Sequence, residues 1–130
     1  RARRAGRVDG VLERLRGGGA AEALAEGFAR HRGKVAVGVD WERFELPWLQ
    51  RVARALGGEV VAAAVNAYAS DYATFSHGAP DLLLLSTDGR RARLVEVKGP
   101  NDRLSDSQVA WIDVLVRAGA EVEVCWVERA

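Results

Sequence analysis

Asp81, Glu96 and Lys98 are residues of this 130-residue chain whose types and spacing could do chemistry together. Each stands at the mouth of an apolar run, where an ionised group costs free energy unless something pairs it. The stretch that holds them is APDLLLLSTDGRRARLVEVKGPN, residues 79–101. Leu82 to Leu85 is a continuous apolar run, the mark of a strand covered on both faces, and Leu94 to Val97 is a second run rich in β-branched residues. Asp88-Gly89 lies between them and predicts a hairpin with a two-residue type I′ turn, both central residues at positive φ and Thr87 facing Arg90. Counting outward from that turn sets Asp81 directly across from Glu96. Lys98, two residues further on, projects from the same sheet face.

Directly opposed Cβ atoms lie roughly 4.5 to 5.5 Å apart. Two acids at that separation repel, so one expectation is a structural cluster in which Lys98 or a nearby arginine neutralises them. The other is a hard divalent cation such as Mg2+ or Mn2+, which takes oxygen ligands and keeps several waters. Spacing alone leaves both open.

The elements that must position these groups are legible around them. Val8 to Arg16 and Ala20 to Arg32 have helical patterning, separated by Gly17-Gly18-Gly19, a turn and not a phosphate loop because no GK[ST] follows. Leu46 to Leu56 predicts a helix with Pro47 in its first turn and Gly57-Gly58 ending it. Glu59 to about Phe75 predicts a longer, alanine-rich helix that covers the sheet. After the hairpin, Gly99-Pro100 breaks the strand, and Ser105 with Gln108 three residues on has the form of a capping box, opening a helix that Gly119 stops. Ala120 to Val127 alternates apolar and acidic residues and predicts a strand with one exposed face. A strand reached through a helix usually runs parallel to its predecessor. The expected fold is therefore α/β, a small mixed sheet with helices on both faces.

Pro80-Asp81 followed by Glu96-Val97-Lys98 resembles the PD-(D/E)xK nuclease signature. The longer strings GAPDLLLL, LVEVKGPNDRLSDSQVAWIDVL and GAEVEVCWV are similar to the virus-type replication-repair nuclease (VRR-NUC) domain in the form carried by the Fanconi-associated nuclease family, and VGVDWERF and LGG upstream are similar as well. The resemblance runs from about Val37 to Val127. It implies a restriction-endonuclease-like core, with a helical segment at 1–36 and the nuclease domain at 37–130. It also implies an Mg2+- or Mn2+-dependent phosphodiesterase of the 5′-flap endonuclease and 5′–3′ exonuclease type, acting on flapped or branched DNA in repair that includes interstrand crosslinks. On the matching positions, Asp81, Glu96 and the Val97 carbonyl are implied metal ligands, Lys98 the catalytic lysine, and Gln108 a glutamine beside the site. Members usually take a further metal-binding glutamate from a helix well upstream. Here Glu22, Glu26 and Glu42 are the available stand-ins, and the alternative is a DNA-binding or assembly module with an incomplete nuclease site.

Several neighbours carry two readings each. Gln108 either completes the Ser105 cap or contacts the attacking water or scissile phosphate, since helix N-termini attract anions. Arg103 either pairs with Asp102 or meets a backbone phosphate. His77 is near the acid pair and a candidate DNA contact, whereas His31 is read as surface. Trp111 is expected as a core anchor more than a base-stacking platform, and Trp41, Phe44 and Trp48 as packing residues.

Composition bounds the rest. With 48% hydrophobic residues the chain suits one compact domain. Its opening RARR and lack of methionine suggest a piece of a larger protein, whose upstream domains would then be partners. Residues 1–54 hold twelve Lys and Arg against seven Asp and Glu, and the remainder seven against eleven. A basic front beside an acidic back suits an enzyme of DNA, and a solvated helical face accounts for it equally well. Arg1, Arg3, Arg4 and Arg7 read as a frayed end. The lone Cys125 excludes an internal disulfide and is expected to be a buried, inert thiol, as in a reducing cytosol. No membrane span or secretory signal is patterned. Heavy Ala, Gly, Val and Arg usage suggests a GC-rich bacterial source with a nucleoid-associated protein, or a nuclear one if the source is eukaryotic.

Overall fold

The computed structural model describes residues 2–31 and 45–129. The VGVDWERF segment with Trp41, Glu42 and Phe44 lies outside them, as do the side chains of Arg3, Arg4, Arg7 and His31. Helix α1 spans Ala2–Arg16, starting well before the expected Val8. Alanine and arginine are good helix formers and the isolated Gly6 does not end the run, so the backbone through residues 2–7 is helical instead of frayed. Helix α2 is Ala20–His31 and α3 is Leu46–Leu56, with Pro47 in its first turn.

The long helix expected from Glu59 to Phe75 is two helices, α4 over Gly58–Ser70 and α5 over Tyr72–Phe75. Asp71 breaks them: its backbone turns out of the helical region and its carboxylate accepts from the Thr74 amide at 3.2 Å. Short polar side chains that bond to nearby amides compete with helix continuation, and the apolar periodicity did not reveal that competition. Gly58 meets the backbone of Leu15 so closely that a Cβ there would overlap the Leu15 carbonyl, which lets α1 and α4 cross in contact.

Strand β1 is Leu82–Leu85, β2 is Ala92–Lys98 and β3 is Glu121–Trp126, in the order β1-β2-β3. The first pair is antiparallel and the second parallel, with helix α6, Asp106–Arg117, as the crossover. The hairpin register is as expected, Leu82 opposite Val95 and Leu85 opposite Ala92. Its turn is not. Only Gly89 has positive φ, at 72°, and Asp88 stays negative. The Gly89 amide donates to the Ser86 carbonyl at 2.9 Å and the Ser86 amide to the Arg91 carbonyl at 2.9 Å, so Thr87 and Arg90 belong to the loop and do not face each other in a ladder. Asp88 is held there because its Oδ1 accepts from the Ser86 hydroxyl at 2.6 Å and the Arg90 amide at 3.0 Å. The loop is longer than expected but centred on the same point, so the strands pair in the same register.

Helices α4 and α6 pack on one sheet face. Leu94 and Val122 on that face pack with Val60 of α4 and Trp111 and Leu115 of α6. A second cluster, Leu12, Leu15, Ala20, Ala53 and Ala62, joins α1, α2, α3 and α4. Leu82 and Leu84 point to the other face and are 49% and 53% exposed, so among the described residues β1 is not covered on both sides. Cys125 shares their side with Glu121 and Glu123 and is an exposed free thiol, which corrects its expected burial. The alternation that exposes the two glutamates exposes it too.

Candidate active site

Asp81 ends the loop that enters β1, and Glu96 and Lys98 lie near the end of β2. Extended by one pair, the hairpin register sets Asp81 across from Glu96, and the same alternation sends Glu96 and Lys98 to the helix-covered face with Leu94. Glu96 is 2% exposed, and no other charged or polar residue is buried among the described ones. Burial holds its carboxyl above the ordinary carboxylate range; the nearby Asp81 charge pushes the same way and the Lys98 ammonium opposes both. The Lys98 Nζ lies 3.8 Å from Glu96 Oε1.

The Asp81 carboxylate accepts from the Val97 amide at 2.9 Å. The ladder ends at Leu82 and Val95; counted two residues further, Pro80 would come opposite Val97, and proline has no N–H to give. The Val127 amide donates to the Lys98 carbonyl at 2.8 Å, which points that carbonyl toward β3. Carbonyls of adjacent strand residues alternate sides, so the Val97 carbonyl points the other way, toward Asp81 and away from β3. Two carboxylates and a carbonyl without a proline donor are hard oxygen groups, and they fit a cation such as Mg2+ or Mn2+.

Gln108 does two things at once. Its Oε1 accepts from the Ser105 amide at 2.9 Å while the Ser105 hydroxyl accepts from the Gln108 amide at 3.2 Å, a complete capping box. Its Nε2 donates to Glu96 Oε1 at 2.8 Å. The two expected roles were the cap and a contact with water or phosphate. The bond to Glu96 was not among them, because nothing in the sequence says how far α6 stands from β2. Trp111 is buried, as a core anchor should be, with its ring edge-on to Phe75 at 5.0 Å. Trp48 is 44% exposed and therefore less buried than a packing residue was expected to be.

Asp102 accepts from the Gly99 amide at 2.7 Å and forms no ion pair with Arg103, whose exposed guanidinium has no ion-pair partner among the described residues. His77 is exposed, with Nδ1 3.0 Å from the Ser76 hydroxyl. Of the upstream carboxylates, Glu26 is held by Arg14 through two bonds of 2.8 Å and Glu22 is exposed on α2. Glu42 lies outside the described residues, among which no cluster of three His, Cys, Asp or Glu could hold a metal.

The family profile described as the VRR-NUC domain matches residues 16–129. The chain belongs to the VRR-NUC family. Similar relatives include Fanconi-associated nuclease 1 of Danio rerio, 41% identical over 107 residues, covering 82% of this chain and 11% of the relative. The Fanconi-associated nuclease 1 homolog of Oryza sativa subsp. japonica is 40% identical over 122 residues, covering 91% and 13%. Among solved structures, paFAN1 bound to DNA with a two-nucleotide 5′ flap and a gap superimposes with a TM-score of 0.83 at 30% identity, covering 100% of this chain and 24% of that one. This VRR-NUC chain thus spans about an eighth or less of those curated relatives and about a quarter of paFAN1. Its mixed sheet with flanking helices is a restriction-endonuclease-like fold.

Proposed function

We propose that this VRR-NUC domain is a structure-selective DNA nuclease that hydrolyses phosphodiesters with Mg2+ or Mn2+ held by Asp81, Glu96 and the Val97 carbonyl. The observation that carries the proposal is the buried Glu96, set beside the Asp81 charge and within reach of Lys98 and Gln108. A structural cluster would be expected to neutralise its acids fully. Here the ion pair is Lys98 with Glu96 at 3.8 Å, Asp81 has no ion pair among the described residues, and burial with the Asp81 charge still raises the Glu96 carboxyl pKa.

A bound divalent cation supplies Lewis-acid polarisation of the phosphate and a more acidic water. The chain's own residues do the rest. Asp81 and Glu96 would hold the cation, and Lys98 is placed to orient the incoming water or to stabilise charge growing on phosphorus. Gln108 keeps the Glu96 carboxylate from rotating away. Arg103 and His77 on the flanking loops are the proposed contacts to the DNA backbone. The products carry 5′-phosphate and 3′-hydroxyl ends.

A flapped or branched substrate, of the 5′-flap endonuclease and 5′–3′ exonuclease type, is supported by the flap DNA in the paFAN1 complex, and a role in DNA repair by the Fanconi-associated nucleases among the relatives. The chemistry is assigned to residues 37–130, supported by the helices of 1–36 and by further domains of the same polypeptide. Its place is wherever the DNA is, nucleoid or nucleus.

The rival reading, a DNA-binding or assembly module, is favoured by the missing third carboxylate among the described residues. Calorimetry with Mn2+ and cleavage of a labelled 5′-flap duplex decide between them. The unaltered chain should bind Mn2+ and cut, Asp81→Ala should lose both, and Lys98→Met should keep binding while cleavage falls roughly 10²- to 10³-fold. Absence of Mn2+ binding by the unaltered chain would favour the module.

A further inference from the structure

We infer that Trp111 is a positioning residue: its indole N–H ties the loop that delivers Asp81 to helix α6, so that one helix sets the places of both carboxylates. The inference rests on the proposed function above. Trp111 Nε1 donates to the Phe75 carbonyl at 3.2 Å and to the His77 carbonyl at 3.1 Å, a single donor shared between the last residue of α5 and the loop that follows it. An indole used only to fill the core needs one partner for its N–H.

The loop is pressed onto the helix at the next residue. Gly78 has φ of 88°, and a Cβ there would stand 2.8 Å from Ser107 Cβ and 2.9 Å from the Gln108 amide nitrogen. Phe75, His77 and Gly78 are therefore all held against α6 just before Pro80-Asp81. From Leu82 onward the chain is held by β1 instead, so Asp81 sits between two anchors.

The other carboxylate is fixed by the same helix. Gln108, one turn before Trp111, donates to Glu96. Helix α6 thus reaches Glu96 through Gln108 and Asp81 through Trp111 and Gly78, and the separation of the two acids follows from how α6 lies across the sheet. Groups that orient metal ligands typically change metal affinity 10- to 100-fold when removed.

The test uses the 130-residue chain carrying Trp111→Phe, which keeps a ring against Phe75 but removes both hydrogen bonds, and separately Gly78→Ala, which keeps the indole and pushes the loop away. Each should weaken Mn2+ binding at least tenfold by calorimetry, well below the melting temperature of the variant. Cleavage of flap DNA should lose kcat with KM for DNA unchanged. If both variants melt earlier yet bind Mn2+ and cleave like the unaltered chain, Trp111 only packs and the inference is overturned. Loss of folding in both overturns it as well, by assigning the bonds to core stability. Failure of the unaltered chain to bind Mn2+ sinks the proposed function itself, independently of what the variants do.

Discussion

At Glu96, burial and the Asp81 charge raise the carboxyl pKa while Lys98 lowers it, and the sum is upward. A carboxyl whose folded pKa exceeds its unfolded value holds its proton to higher pH in the folded state. Stability from this group is then complete below the ordinary carboxylate range and declines as pH rises from there through the raised pKa. In metal-free buffer the melting temperature of the unaltered chain, taken relative to Glu96→Gln, should fall across that window. The exposed acids shifted the other way, Asp88 and Glu121 among them, are present in both proteins and cancel in the difference. Added Mn2+ should reverse the trend, because the cation takes the ionised form. A difference that stays flat with pH would mean that Glu96 is not strained. The pairing of Asp81 with Glu96 was legible because side chains alternate strictly along strands, whereas the burial of Glu96 was not, since it depends on what lies above the sheet.

Ser105 and the hairpin loop belong to the scale of elements. Ser105→Ala removes an acceptor for the Gln108 amide and should cost about 1 kcal/mol in urea unfolding, the usual worth of a cap. Because the same glutamine also holds Glu96, Mn2+ affinity should fall too, which an ordinary helix cap would not produce. The capping box could be read from Ser105 and Gln108 because it is local. The hairpin was half legible. Asp-Gly located the reversal, but Asp88 spends its carboxylate on Ser86 and Arg90 and so keeps negative φ, a choice between competing local bonds that the dipeptide alone does not decide. The break at Asp71 escaped for the same reason.

Across the whole molecule, α4 links the two hydrophobic clusters. It sends Val60 toward the sheet with Trp111 and Leu115, and Ala62, fully buried, toward Leu12 and Leu15 of α1. The helical layer and the sheet should therefore unfold together. Leu12→Ala, at a site 4% exposed, should cost about 2 to 5 kcal/mol and lower the helical circular dichroism and the tryptophan fluorescence transitions by the same temperature. Two separated transitions would show that α1 and α2 are an independent unit.

By itself the sequence determined strand register, the capping box and the family, since these depend on alternation, on residues a few positions apart, or on strings of residues. Only the tertiary structure decided that Gln108 reaches Glu96, that Trp111 spans two carbonyls more than thirty residues away, and that Cys125 and the outer leucines of β1 are exposed. The physical reason is that alternation assigns side chains to faces but does not say which face a helix will cover. That is settled when distant apolar groups such as Val60, Leu94, Trp111 and Leu115 are removed from water together.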